Sequence, residues 1–307
     1  MTDFTDQRIE DLLQAGLVEG DLALGHVAPI LRHLLTNNDS SLFTDEVVAR
    51  VRGMLDDIAR QLANPGEPLA KAYPTDTAEF SSILLGNSAL LTHLHALALE
   101  WQLAERLHSQ AGIDPVLSPL LQALIASSEA HKAAAAMTAL AAQARFMQSV
   151  RRMEHPLIEL PGDLFYDVLS TRETLRDADA AATEAENAQL RARFDESRTR
   201  IGLLAQMVTG MGGGVIAALS VEHAGVAFFI SALATCSGQN RDLAVLATTE
   251  QQSARLALTL RAAGLKPEDV KEQMLALQPG ISMPSGLDSL RSDQASALLA
   301  ASAKGPK

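Results

Sequence analysis

The chain has 307 residues and a formal net charge of −12, which disfavours nucleic acid and anionic membranes, since both demand a basic face. Its single cysteine, Cys236, excludes an intramolecular disulfide and a cysteine-based metal cluster. Alanine and leucine dominate, with only two tyrosines and one tryptophan, so helix is favoured over sheet, whose strands draw on β-branched and aromatic side chains.

The first residues, Met1-Thr2-Asp3-Phe4-Thr5-Asp6, are acidic and hold no apolar core segment, so no secretory signal is read and a cytoplasmic location is expected. Val47, Val51, Leu55 and Ile58 then recur at helical spacing, and Asn64-Pro65-Gly66 punctuates the helix they predict. Asp76 with Glu79, Ser170 with Glu173, and Thr249 with Gln252 have capping-box spacing and predict helix starts. Asp114-Pro115 and Lys266-Pro267 place proline where a first helical turn needs no amide donor. Gly112, Pro156, Pro161-Gly162, Gly264 and Pro279-Gly280 read as stops, and Leu256, Leu258, Leu260 and Leu265 mark another leucine-rich helix.

No window alternates long enough to predict a strand. The fold class is therefore all-α, a multi-helix bundle or irregular helical-repeat array with no significant sheet, of about ten to fourteen helices at the usual mean length. Residues 171–200 carry interspersed acids and arginines with few large apolar residues, chiefly Leu175, Leu190 and Phe194. This predicts a long solvated helix laced with charge pairs. The expected domains are 1–165, a charged connecting helix over 166–200, and 201–307.

Residues 201–240 contain no lysine or arginine, and their only charged residue is Glu222. A membrane-spanning helix needs about 20 consecutive apolar residues. Here Gly210, Gly212, Gly213 and Gly214 interrupt the run, and Glu222-His223 divides the remainder into 211–221 and 224–236. No transmembrane span is expected; a tight hairpin of short helices, buried at the centre of a domain, is.

The run His223-Ala224-Gly225-Val226-Ala227-Phe228-Phe229, with Ala232-Leu233-Ala234, Ser237-Gly238 and Arg241-Asp242, resembles a helix–helix unit of the alphaproteobacterial proteins grouped as domain of unknown function 2336. Leu246-Ala247-Thr248, Arg255-Leu256-Ala257-Leu258, Leu260-Arg261-Ala262-Ala263-Gly264-Leu265 and Gln273 with Leu277-Gln278-Pro279 fit the same pattern. So do Ala142-Gln143-Ala144-Arg145-Phe146 and Leu160-Pro161-Gly162-Asp163-Leu164-Phe165 upstream. The resemblance covers residues 130–300 and implies an all-helical, repeat-like fold in a bacterial cytosol. It implies no activity and brings no catalytic residues.

Several residues are candidates for chemistry. Gly210-Met211-Gly212-Gly213-Gly214 lacks the preceding strand and following Lys-Ser or Lys-Thr of a phosphate loop, and reads as a close-packed helical turn. His93 and His95 stand two apart on a helix and point about 200° away from each other, so they cannot chelate one metal together; neither a metal nor a cofactor is expected. Glu129-Ala130-His131-Lys132 is faintly similar to the phospho-accepting helix of histidine kinases, and also suits a surface histidine. Glu222-His223 reads either as an acid–base or ligand-binding pair, or as a polar turn facing water.

The function expected first is a non-catalytic interaction or regulatory protein that binds a protein partner or another copy of itself, through an apolar groove or the charged 171–200 segment. An alternative of another class is a helical-bundle enzyme or small-molecule carrier with an apolar pocket near 210–236 and Glu222/His223 as its polar handle. A third is phosphotransfer through His131.

Overall fold

The computed structural model describes residues 2–37, 45–64, 74–175, 180–280 and 287–302. Among these every regular element is helical and no strand occurs. The chain begins with α1 (Thr2–Asn37), α2 (Asp45–Ala63), α3 (Pro74–Leu84), α4 (Ser88–Ala111), α5 (Pro119–Ile125), α6 (Ala130–Arg151) and α7 (Gly162–Leu175). It continues with α8 (Ala180–Arg193), α9 (Arg200–Gly210), α10 (Val221–Ser237), α11 (Arg241–Leu246), α12 (Ser253–Ala262), α13 (Pro267–Leu277) and α14 (Ser292–Ser302).

The punctuation is met in part. Lys266 N-caps α13 with Pro267 in its first turn, and Gly112 and Gly264, following α4 and α12, have φ of +68° and +97°. Other start signals are met in part or not at all. Ser170 lies inside α7, and Thr249 precedes a 3-10 turn, Glu250–Gln252, that leads into α12, its hydroxyl donating to the Leu246 carbonyl rather than capping the turn. Asp114 instead caps an isolated turn, accepting from the amides of Val116 and Leu117 at 2.8 Å each. Helix α5 starts later, with Ser118 as its N-cap. Pro65, Gly66 and the side chain of Asp76 lie outside the described residues.

The described chain divides into two compact units, residues 1–27, 99–140 and 204–307, and residues 28–98 and 141–203. Its breaks, at 27/28, 98/99, 140/141 and 203/204, fall inside α1, α4, α6 and α9, and none lies at 165. A helix has no punctuation where its packing partners change, so the pattern of stops and starts cannot reveal such a break.

The first unit is organised by α10, which packs against α5, α11, α12 and α13. From Ala224 to Ala234 every residue of α10 is buried, including Phe228, Phe229, Ile230 and Leu233. Each such large side chain contributes about 1.5–3 kcal/mol on burial. The helix is broken at Gly225, whose φ of 69° and ψ of 165° lie outside the helical region. Only glycine adopts that conformation without strain, and a Cβ there would meet the Ser118 Cβ at 2.9 Å. Arg241 closes the unit's polar interior: its two terminal nitrogens donate to the two carboxylate oxygens of Glu100 at 2.8 Å each, and its Nε donates to the Ser231 hydroxyl at 3.2 Å. Burial opposes the guanidinium's charge, but the Glu100 carboxylate outweighs it and holds the group protonated.

In the second unit the predicted stripe Val47, Val51, Leu55 and Ile58 is buried on α2, with Phe80 of α3 and Phe165, Val168 and Leu169 of α7 also in the core. The segment expected as a single solvated helix over 171–200 instead includes parts of α7 and α8, an antiparallel pair closed by the stacked rings of Phe165 and Phe194, 4.0 Å apart. Arg172 is buried there, donating to the Leu62 carbonyl at 2.7 Å and the Asn187 amide oxygen at 2.8 Å, and pairing with Glu186. Charge in this segment therefore ties two helices together as well as wetting a surface, and the spacing of acids and arginines does not distinguish the two.

Candidate functional site

A cavity of about 150 Å³ opens in the second unit, against the C-terminal half of α6, the segment that follows it, and the start of α9. On α6 its lining residues Ala142, Arg145, Phe146, Ser149 and, just beyond, Arg152 recur every three to four positions and so share one face. The helix then ends in a Schellman turn. Met153 takes φ +60°, its amide donates to the Val150 carbonyl at 3.0 Å, and the Glu154 amide donates to the Ser149 carbonyl at 2.8 Å. Gly53 on α2 makes room for this turn, since a Cβ at that position would lie 2.4 Å from the Met153 Cβ.

Beyond the turn α2 clamps the chain by its backbone. The His155 amide donates to Asp57 Oδ2 at 2.9 Å, the His155 carbonyl accepts from Gln61 Nε2 at 2.9 Å, and the Leu157 amide donates to Gln61 Oε1 at 2.8 Å. These bonds fix His155 in the cavity wall. Burial raises the Asp57 pKa, with the His155 amide and Arg60 opposing it.

The cavity is also lined by Arg200, only 3% exposed, at the first position of α9. Its guanidinium lies 3.6 Å above the centre of the Phe146 ring and donates to Gln143 Oε1 at 3.1 Å, a cation–π contact reinforced by an amide. Its backbone amide donates to Glu159 Oε2 at 2.8 Å, a carboxylate well placed against the helix N-terminus.

The electrostatics follow from burial. His155 is neutral, its pKa pushed down to about 3 by burial, with the neighbouring charges of His93 and Arg200 adding to the effect. Its Nε2 is buried without a hydrogen-bond partner among the described residues. At the rim Arg152 pairs with Glu154 at 2.9 Å, while the exposed Arg145 has no ion pair or hydrogen bond among the described residues. Three guanidinium groups and one carboxylate thus line the cavity, together with Leu97, Pro156 and Ile201.

The residues predicted from sequence lie elsewhere. Glu222 and His223 are both exposed, on the first turn of α10, and the uncharged run divides just before them, between the 3-10 turn Gly212–Leu219 and the start of α10 at Val221. Of the two readings of the pair, its exposure fits polar groups facing water, and the cavity described here is not at 210–236. The glycine cluster does end α9, but it is not close-packed: a Cβ added at Gly210, Gly212, Gly213 or Gly214 meets nothing within 4 Å. The expectation that the whole uncharged stretch is buried holds for Ala224–Ala234 of α10 but not for residues around the 3-10 turn Gly212–Leu219, where Ile216 is 55% exposed.

His131 is exposed near the start of α6, its Nε2 3.7 Å from a Glu129 oxygen, while Lys132 binds the other at 2.5 Å. His93 and His95 are both buried, and burial lowers the His95 pKa to about 4. Glu105 and His108 stand three apart on α4, a spacing that puts both on one helix face, yet no group of three metal-capable side chains is assembled among the described residues. No single helix among the described residues is long and apolar enough to cross a membrane. No family model, curated protein or solved structure matches the chain.

Proposed function

We propose that this chain is a non-catalytic, all-helical protein that acts by binding, and that a small ligand occupies the cavity of the second unit. The observation that carries this reading is the lining: Arg145, Arg152 and Arg200 share one small cavity with a single carboxylate, Glu159, in a chain whose net charge is −12. Cations gathered against the sign of the whole molecule repel one another, and an anion entering among them relieves that repulsion. Small-molecule sites are concave, largely apolar, and carry a few convergent polar groups. The wall of Leu97, Phe146, Pro156 and Ile201 with its guanidinium groups has that composition.

The test is amide chemical-shift mapping of the full chain against a set of ring-sized anionic and neutral compounds. Saturable shifts centred on Arg145, Ser149, His155 and Ile201 are expected. Shifts centred on Glu222 and His223, or no saturable shifts for any compound, would overturn the reading.

A second reading, association with another copy of the chain, is favoured by one observation. Residues 201–221 carry no charge, and Ile216 and much of the glycine turn are exposed there. Copies of so acidic a chain repel one another except where an uncharged surface meets its counterpart. Sedimentation equilibrium is expected to show association that Ile216→Asp abolishes; a monomer over the whole concentration range would contradict it.

A further inference from the structure

We infer that the cavity of the second unit takes a small organic carboxylate with a flat apolar body no larger than a single ring. The inference rests on the binding reading above and adds the chemical class of the ligand. Size sets the first limit. A cavity of about 150 Å³ matches the volume of an engineered apolar cavity that holds benzene, roughly 150 Å³, so nucleotides and sugar phosphates are too large to be enclosed.

Sign sets the second limit. Of the four charged groups in the lining three are arginines, and the one carboxylate, Glu159, already accepts the amide of Arg200. Arg145 is the guanidinium with unspent hydrogen-bonding capacity, because no described residue pairs with it, whereas Arg152 is shared with Glu154. A planar carboxylate matches a guanidinium in two parallel hydrogen bonds, a geometry that a single-point anion does not use.

The apolar wall sets the third. Leu97, Ala142, Phe146, Pro156 and Ile201 face the same space, so an inorganic anion would fill the cationic part and leave these side chains without contact. The neutral His155 adds a polar edge without adding charge. Only a ligand that is anionic at one end and apolar over its body satisfies both parts of the lining.

The experiment is calorimetric titration of the full chain with benzoate, with benzamide as its neutral isostere, and with inorganic phosphate. Benzoate is expected to bind saturably at one site, with benzamide and phosphate each at least about tenfold weaker. Arg145→Gln, a change at an exposed position that leaves the thermal midpoint unchanged, is expected to weaken benzoate about tenfold and to leave benzamide unaffected. Benzamide or phosphate binding as tightly as benzoate, or benzoate indifferent to Arg145→Gln, would overturn the carboxylate while keeping the cavity as a site. Failure of all three probes, with no difference from a Ser149→Trp variant that fills the cavity, would overturn the binding reading itself.

Discussion

Helix α10 of the first unit and the C-terminal half of α6 in the second are both built from small and apolar residues, and they end in opposite situations. Around Ala224–Ala234 of α10 every residue is buried, and the charged group that bonds to it, Arg241, is matched by a bidentate carboxylate. Along α6 the helix face at Arg145, Phe146 and Ser149 borders a cavity, and Arg145 has no partner among the described residues. The difference teaches where to look for binding: a closed core has its charges matched from within, and a binding wall keeps charge-pairing capacity for something else.

That contrast breaks most severely if the closed core is opened. Glu100→Leu leaves the Arg241 guanidinium buried without its carboxylate, and loss of one partner of a buried pair costs about 3–5 kcal/mol; urea unfolding is expected to show a loss of that size. The double variant Glu100→Leu with Arg241→Leu is expected to be milder than the single one.

Next in size is Gly225→Ala. Its left-handed φ and the approach of Ser118 make the alanine both strained, about 1–3 kcal/mol, and overpacked by a similar amount. A thermal midpoint equal to that of the unmodified chain would show that α10 straightens at no cost, contrary to the close packing described here.

The buried histidines give a pH dependence. The folded-state pKa values of His155 and His95 are depressed to about 3 and about 4, below the ordinary 6.5, so the unfolded chain binds protons that the folded chain does not. Stability contributed by the neutral imidazoles is full above the unfolded pKa and is lost as pH falls from about 6.5 toward those lower values, at about 1.4 kcal/mol per pH unit for each histidine. Unfolding free energies at pH 7 and pH 5 check this, and His155→Gln is expected to remove one proton from the slope.

The smallest stability effect sharpens the comparison from the other side. Arg145→Gln changes an exposed side chain that is unpaired among the described residues, so it is expected to shift stability by less than about 0.5 kcal/mol while removing most of the affinity for a small carboxylate.

Much of the fold was legible in the sequence, because helix formation leaves periodic marks: the α2 stripe, the proline start of α13 and the glycine ends of α4 and α12 all lie where spacing places them. The site was far less legible. Glu222-His223 drew attention as the polar pair in an uncharged run, yet a helix start at Ser220/Val221 exposes both. The cavity's residues come from distant stretches, around Leu97, 142–159 and 200–201, and no spacing joins them. One signal was present in the chain: Arg145, Ser149 and Arg152 with Phe146 mark a cationic and aromatic helix face in an acidic protein, which the recurrence of alanine around it hides.

The central claim, that the second unit's cavity holds a small ligand, is tested most directly by native mass spectrometry of the protein purified gently from its own host, beside the cavity-filling Ser149→Trp variant treated identically. The account predicts a non-covalent small-molecule adduct on the unmodified chain that is missing from the variant. Equal masses per chain, corrected for the substitution, would contradict it.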